Sequence, residues 1–129
     1  ALGGKLARPD WLSVNFVGDT GFGQTANDFE TAVRSNLPIM TVLVNNGCMG
    51  GYGTYMPDAV EKYQSSQTGG DYTAMAQAMG GYAERIEKAS DVRAALQRGI
   101  DQTQQGNAVV LEFITREEPV LATANKWAM

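Results

Sequence analysis

Histidine is absent from this chain of 129 residues. Without it there is no Ser-His-Asp triad, no histidine-based zinc site and no histidine general base within the chain. Cysteine is nearly absent too. Cys48 stands alone, so no internal disulfide forms and a cytoplasmic, reducing compartment is expected. Basic clusters are missing: 10 Lys and Arg stand against 14 Asp and Glu, a formal net charge of −4. That argues against a nucleic-acid or polyanion surface. No apolar run approaches the roughly 18–20 residues of a membrane span, so no membrane partner is expected. The opening ALGGKLARPD carries charges inside a short small-residue stretch, unlike a secretory signal. An initiator methionine is also missing, and GGKLARPD reads as the tail of a helix running into a strand. The chain is therefore expected to be a fragment of a longer polypeptide, an N-terminally truncated domain.

What is present suits one α/β domain of ordinary size. Residues 1–8 read as the last turns of a helix stopped by Pro9. Ser13 to Val17 is a short apolar-rich run closed by Gly18, expected as a buried strand. Gly18, Gly21 and Gly23 punctuate a tight turn. Then Phe22, Ala26, Phe29, Ala32 and Val33 recur at helical spacing. This helix is expected from about Thr25, capped by Thr25 or Asn27, to Ser35–Asn36. Ile39 to Val44 is nearly all apolar, as a strand covered on both faces should be.

Residues 47–70 are irregular, rich in glycine, tyrosine and methionine, with one short helix expected over Asp58–Tyr63. Asp71 caps a helix with a Tyr72-Met75-Ala76-Met79 stripe, ended by Gly80-Gly81. Tyr82 to Ile86 is a strand. Ser90 is expected to cap the next helix, striped by Val92, Ala95, Leu96 and Ile100 and ended by Gly106-Asn107. Ala108 to Ile114 is the final strand, and LATANKWAM is a short helix or extended arm. Strands alternating with helices imply a three-layer α/β/α domain with a mainly parallel sheet.

The chemistry concentrates between Val14 and Gly51. Ligands of open α/β sheets bind beyond the carboxyl ends of strands, where the strand order switches direction. Asp19 follows one such end, and Asn45-Asn46 follow another. Neighbouring strands lie about 4.8 Å apart, so Asp19 and Asn46 can converge on one ion. A main-chain carbonyl, that of Cys48, supplies a third oxygen. Mg²⁺ accepts such an all-oxygen set and completes it with phosphate and water. Gly18, Thr20 and Gly21 can turn backbone N–H groups toward a diphosphate, with the following helix pointing its positive end the same way. Taken singly, a Gly-Asp turn or an Asn pair is ordinary punctuation. The joint pattern is far more specific. It is not G-x-G-x-x-G, and no Lys-Ser/Thr follows to make a P-loop.

GDTGF, with the second Asn of NN 27 positions after its Asp, resembles the Gly-Asp-Gly…Asn motif of thiamine-diphosphate enzymes. The motif lies in their C-terminal pyrophosphate-binding domain. The likeness extends over nearly the whole chain, through KLARPD, ETAVRSNLPIMTVLVNN, DYTAMAQAMGGYAERIEKASDVRAALQRGI and AVVLEFIT. It is nearest to acetolactate (acetohydroxyacid) synthase-like members. The resemblance implies that Asp19 and Asn46 bind Mg²⁺ through side chains and Cys48 through its main-chain oxygen. It also implies that Gly18, Thr20, Gly21, Met49 and Gly50 lie along the diphosphate. Thr20 departs from the motif's Gly, which matters little for a backbone contact.

The activity implied is decarboxylation of a 2-oxoacid, followed by addition to a second carbonyl compound (synthase or carboligase) or by protonation (decarboxylase or lyase). A cofactor-binding subunit without turnover is the alternative. The family's activating glutamate belongs to a separate pyrimidine-binding domain, usually on a partner subunit, which implies a homo-oligomer. No catalytic residue is expected in this chain, which should be inactive by itself. None of Glu30, Glu61, Glu84, Glu87, Glu112, Glu117 or Glu118 takes that role. Residues 1–129 are expected to form one such domain. Elsewhere the plainer readings prevail. Cys48 is an inert small residue. Met49, Tyr52, Tyr55 and Met56 pack under a loop or line a channel. Arg116-Glu117-Glu118 is a solvated turn, and Trp127 docks the tail or meets a missing subunit.

Overall fold

Ser13–Gly18 (β1), Ile39–Asn45 (β2), Tyr82–Ile86 (β3) and Val109–Ile114 (β4) form one parallel sheet, ordered β1-β2-β4-β3, in a computed structural model that describes residues 1–117. The helices are Leu2–Ala7 (α1), Asp19–Thr25 (α2), Asn27–Arg34 (α3), Tyr52–Tyr55 (α4), Pro57–Tyr63 (α5), Tyr72–Ala78 (α6) and Val92–Gln104 (α7). The expected alternation of strands and helices is therefore present. The readings placed on the C-terminal tail, Trp127 and Glu118 lie outside the described residues.

Alternation of side chains along the strands divides the core in two. One face of the sheet buries Phe22, Phe29, Ala32, Tyr72 and Ala76 from α2, α3 and α6 against Ile39, Leu43, Ala83 and Val110. The other buries Ala95 of α7, with Val92, Leu96 and Ile100 beside it, against Met40, Val42, Val109 and Leu111. These are the three layers. Close approach of α7 requires Gly99: a Cβ there would stand 2.8 Å from Leu111 Cδ1 and 2.9 Å from Met40 Sδ.

Four expectations change. First, no tight glycine turn precedes the helix. Asp19 is the first residue of α2, and Ala26, itself helical at φ −57° and ψ −30°, joins α2 to α3. Neither Thr25 nor Asn27 caps; Thr25 Oγ1 donates back to Gly21 O at 3.0 Å, a bond that competes with the regular ladder. α3 stops at Arg34, and Asn36 turns left-handed at φ 52°. Second, β1 is not buried on both faces. It pairs only with β2 among the described strands, and Val14 and Phe16 are exposed. Third, Ser90 caps nothing: a 3-10 turn, Ala89–Asp91, precedes α7, and the Ser90 hydroxyl donates to Asp91 Oδ1 at 2.9 Å. Fourth, the winding direction reverses between β3 and β4, not between β1 and β2. Asp71 does cap α6, accepting the Ala74 N–H at 2.8 Å.

Residues 47–70 are more ordered than their composition suggests. A lone antiparallel bridge pairs Cys48 with Gln67, and the Met49 N–H donates to Ser66 O at 2.6 Å. The segment leaves the sheet, forms α4 and α5, and returns to its starting point.

Candidate functional site

β1 and β2 end side by side, with Gly18 opposite Val44. Asp19 leaves β1 where Asn45 and Asn46 leave β2, so the residues singled out by spacing share one end of the sheet. Asp19 is 4% exposed. Its Oδ2 accepts the Thr68 hydroxyl, and the Thr68 N–H donates to Gly47 O at 3.1 Å. The returning segment is thus fastened to both strand ends.

The two asparagines have different local work. Asn45 Oδ1 accepts the Gly47 N–H at 2.9 Å, and Asn46 Oδ1 accepts the Cys48 N–H at 3.1 Å. These are successive Asx turns, and Gly47 supplies the left-handed φ of 72° between them. Asn46 Oδ1 keeps a second lone pair. Asn45 also reaches backwards, donating from Nδ2 to Glu112 Oε1 at 2.7 Å.

The residues present fit a diphosphate held by Mg²⁺. One carboxylate and two carbonyl oxygens are a hard, oxygen-only set of the kind Mg²⁺ takes. Among the described residues there is no cluster of three or more His, Cys, Asp and Glu side chains. Thr20 Oγ1 is buried without a hydrogen-bond partner among the described residues. Asp19, Thr20 and Gly21 form the first turn of α2, where N–H groups lack intrahelical acceptors. The Met49 N–H, by contrast, is already spent on Ser66. Gly50 is exposed, with room for a Cβ no nearer than 3.9 Å to Glu117 Oε1.

Burial pushes the Cys48 thiol up, helped by its hydrogen bond to Glu117 and by the charges of Glu117 and Asp19. That keeps the sulfur protonated and agrees with an inert side chain. Tyr55 and Met56 are exposed rather than packed under a loop. Tyr72 and Ala76 are buried, with Met75 and Met79 against the same core, as the stripe predicts.

At the strand ends Asp19 is nearly buried beneath Thr68, while Gly47 and Gly50 are exposed. A cleft of about 360 Å³ lies elsewhere, lined by Leu2, Asn15, Phe22, Phe29 and Thr41. An apolar groove of about 420 Å³ lies on the opposite face, over Val14, Phe16, Val42 and Val44. Neither includes Asp19 or Asn46. The donor chemistry locates the site.

Sequence reasoning missed Thr68, Thr73 and Thr115 altogether and gave Glu112 no part. Thr73 Oγ1 donates to Glu112 Oε2 at 2.7 Å, and the Thr115 N–H to Asn45 O at 2.8 Å. One signal was available: an acid interrupting the apolar run VVLEFI.

The fold and this site define a class. Residues 1–113 match the family described as thiamine pyrophosphate enzyme, C-terminal TPP binding domain, and the chain belongs to that family. It is 28% identical over 123 residues to sulfoacetaldehyde acetyltransferase of Alcaligenes xylosoxydans xylosoxydans, covering 91% of this chain and 20% of that protein. It is 33% identical over 101 residues to a probable acetolactate synthase of Mycobacterium bovis, covering 76% of this chain and 18% of that protein. The chain thus spans about a fifth of the length of these curated relatives. The structure of Rhodococcus jostii RHA1 thiamine diphosphate-dependent 4-hydroxybenzoylformate decarboxylase shares the fold, with a TM-score of 0.79 at 20% identity over 93% of this chain and 23% of that one. Among the described residues no helix is long and apolar enough to cross a membrane.

Proposed function

We propose that residues 1–129 are the pyrophosphate-binding domain of an acetolactate synthase-like carboligase or acyltransferase acting on a 2-oxoacid in the cytoplasm. Asp19 and Asn46 bind Mg²⁺ through their side chains and Cys48 through its carbonyl. Gly18, Thr20, Gly21, Met49 and Gly50 line the diphosphate. A pyrimidine-binding domain, of the same or a partner subunit in a homo-oligomer, completes the site and supplies the activating glutamate. The isolated chain does not turn over substrate.

The observation that carries the reading is that Asp19 and Asn46 follow the adjacent ends of β1 and β2, in a chain whose family is named for binding this cofactor. Bound, thiamine diphosphate would supply the electron sink for breaking the carboxyl bond of a 2-oxoacid. The work of this chain is different. It grips the anionic end, neutralises it through the ion, and fixes the cofactor's position against the domain opposite.

Titration of the full-length polypeptide with thiamine diphosphate, with and without Mg²⁺, tests the reading. Wild type should bind tightly only with the metal. Asp19→Ala and Asn46→Ala should each abolish that dependence. Unchanged Mg²⁺-dependent binding in both variants would overturn the ligand assignment.

A further inference from the structure

Glu112 lies in the middle of β4 and is 0% exposed. An acidic side chain inside a parallel sheet is costly unless its oxygens are bonded, and well-packed apolar residues often serve stability as well or better. Both oxygens are bonded here. Oε1 accepts from Asn45 Nδ2 and Oε2 from the Thr73 hydroxyl, each at 2.7 Å. The Arg85 guanidinium stands 3.9 Å from Oε1. Asn45 lies opposite Ile114 and Leu43 opposite Glu112, so the contact to Asn45 runs diagonally toward the carboxyl end of the sheet.

That direction matters because of what Asn45 does next. Its amide can satisfy Glu112 only by turning its NH₂ inward. Oδ1 must then face outward, where it accepts the Gly47 N–H at 2.9 Å. The Asn45 carbonyl is held as well, by the Thr115 N–H at 2.8 Å. Every polar group of the Asn45 side chain is committed, and its orientation sets the path of the backbone through Asn46, Gly47 and Cys48.

We infer that Glu112, steadied by Thr73, is a positioning residue. It locks the Asn45 amide and, through it, presets the turn that carries Asn46 and Cys48. The inference rests on the reading of Asp19, Asn46 and Cys48 as the Mg²⁺ site. Glu112 touches neither metal nor cofactor; it supplies pre-organisation to the oxygens that do.

Reversing the polarity of the Asn45–Glu112 bond tests this. The full-length polypeptide is titrated calorimetrically with thiamine diphosphate at fixed Mg²⁺, and hydrogen exchange of the Gly47 amide is followed without ligand. Asn45→Asp alone sets carboxyl against carboxyl, and Glu112→Gln alone replaces a charged acceptor by a neutral one and leaves a single oxygen for the two donors, Asn45 Nδ2 and the Thr73 hydroxyl. Each should weaken binding, Asn45→Asp by about tenfold or more, and each should speed Gly47 exchange.

The double variant restores one donor and one acceptor. The new amide donates to the new carboxyl, Thr73 still donates to the amide oxygen, and the Gly47 N–H still has an acceptor. Affinity should return to within roughly threefold of wild type and exchange should slow again. A purely structural role would restore melting temperature without restoring affinity, and that result overturns the inference. Asn45→Asp that folds and binds like wild type overturns it too. If Asn45→Asp does not fold, Glu112→Gln, the double variant and wild type make the same comparison. If wild type shows no Mg²⁺-dependent binding, the site reading fails, and Gly47 exchange still decides whether Glu112 positions the turn.

Discussion

Gly18 ends β1 at φ −81° and ψ 164°, angles open to any residue. A Cβ there would come no nearer to the rest of the protein than 3.9 Å, from Val44 O. Neither backbone nor packing demands glycine, so under the proposed reading the demand comes from a ligand that needs close approach. Gly18→Ala should therefore separate binding from folding. Stability should stay within about 0.5 kcal/mol of wild type, while Mg²⁺-dependent affinity for thiamine diphosphate should fall about tenfold, or roughly 1.4 kcal/mol. Equal affinity would show that no ligand presses against that carbon. The strand-end positions of Asp19 and Asn46 were legible at this scale because their signal is local: a polar residue where an apolar strand stops. Glu112, Thr73 and Thr68 were not, because their partners lie 67, 39 and 49 positions away. Only the folded sheet brings such side chains together, and no window of sequence encodes that meeting.

The helices show why element existence reads more easily than element boundaries. Phe22, Ala26, Phe29 and Ala32 gave the correct buried face of α2 and α3. The start was misplaced because Gly21 and Gly23 suggest a turn, whereas burial of Phe22 and Tyr72 in edge-on contact, ring centres 5.7 Å apart, holds that stretch helical. Packing overrode propensity. β3 and α7 offer a test at the same scale. Arg98 of α7 bonds the Glu84 carboxylate of β3 through Nε at 3.0 Å and also through Nη2. These bonds hold Glu84 below its ordinary 4.5, assisted by the Tyr82 hydroxyl and opposed by partial burial. A depressed folded pKa contributes stability above the unfolded value and loses it as pH falls through the folded one. The melting temperature of wild type should exceed that of Glu84→Gln at pH 7. The gap should close as pH drops below the ordinary 4.5 and through the lowered folded value, and should shrink with added salt. A gap that widens on acidification would contradict the assignment.

At the scale of the whole molecule, one sheet face is unevenly covered by the described residues. α7 packs on β4, β3 and the near side of β2. Beyond it, Phe16 is 75% exposed and Val14 45% exposed, continuous with Val42, Val44, Val92, Leu96 and Phe113 around an apolar groove. The sequence showed Val14 and Phe16 as strand residues but not which strand would lie at the edge, since strand order depends on non-local pairing. β1 offers both an apolar face and, among the described strands, an edge paired on one side only. That combination favours association in water. The isolated 129-residue chain should therefore bind a hydrophobic dye and self-associate as concentration rises, measured by sedimentation. Val14→Thr with Phe16→Thr should reduce both, because threonine keeps a strand-compatible branched side chain while removing apolar surface. The melting temperature should change little at dilute concentration, because these two side chains bury little within the chain. A wild-type chain that stays monomeric and dye-free would mean that this face is covered in solution. A double variant that associates as strongly as wild type would move the contact to another surface.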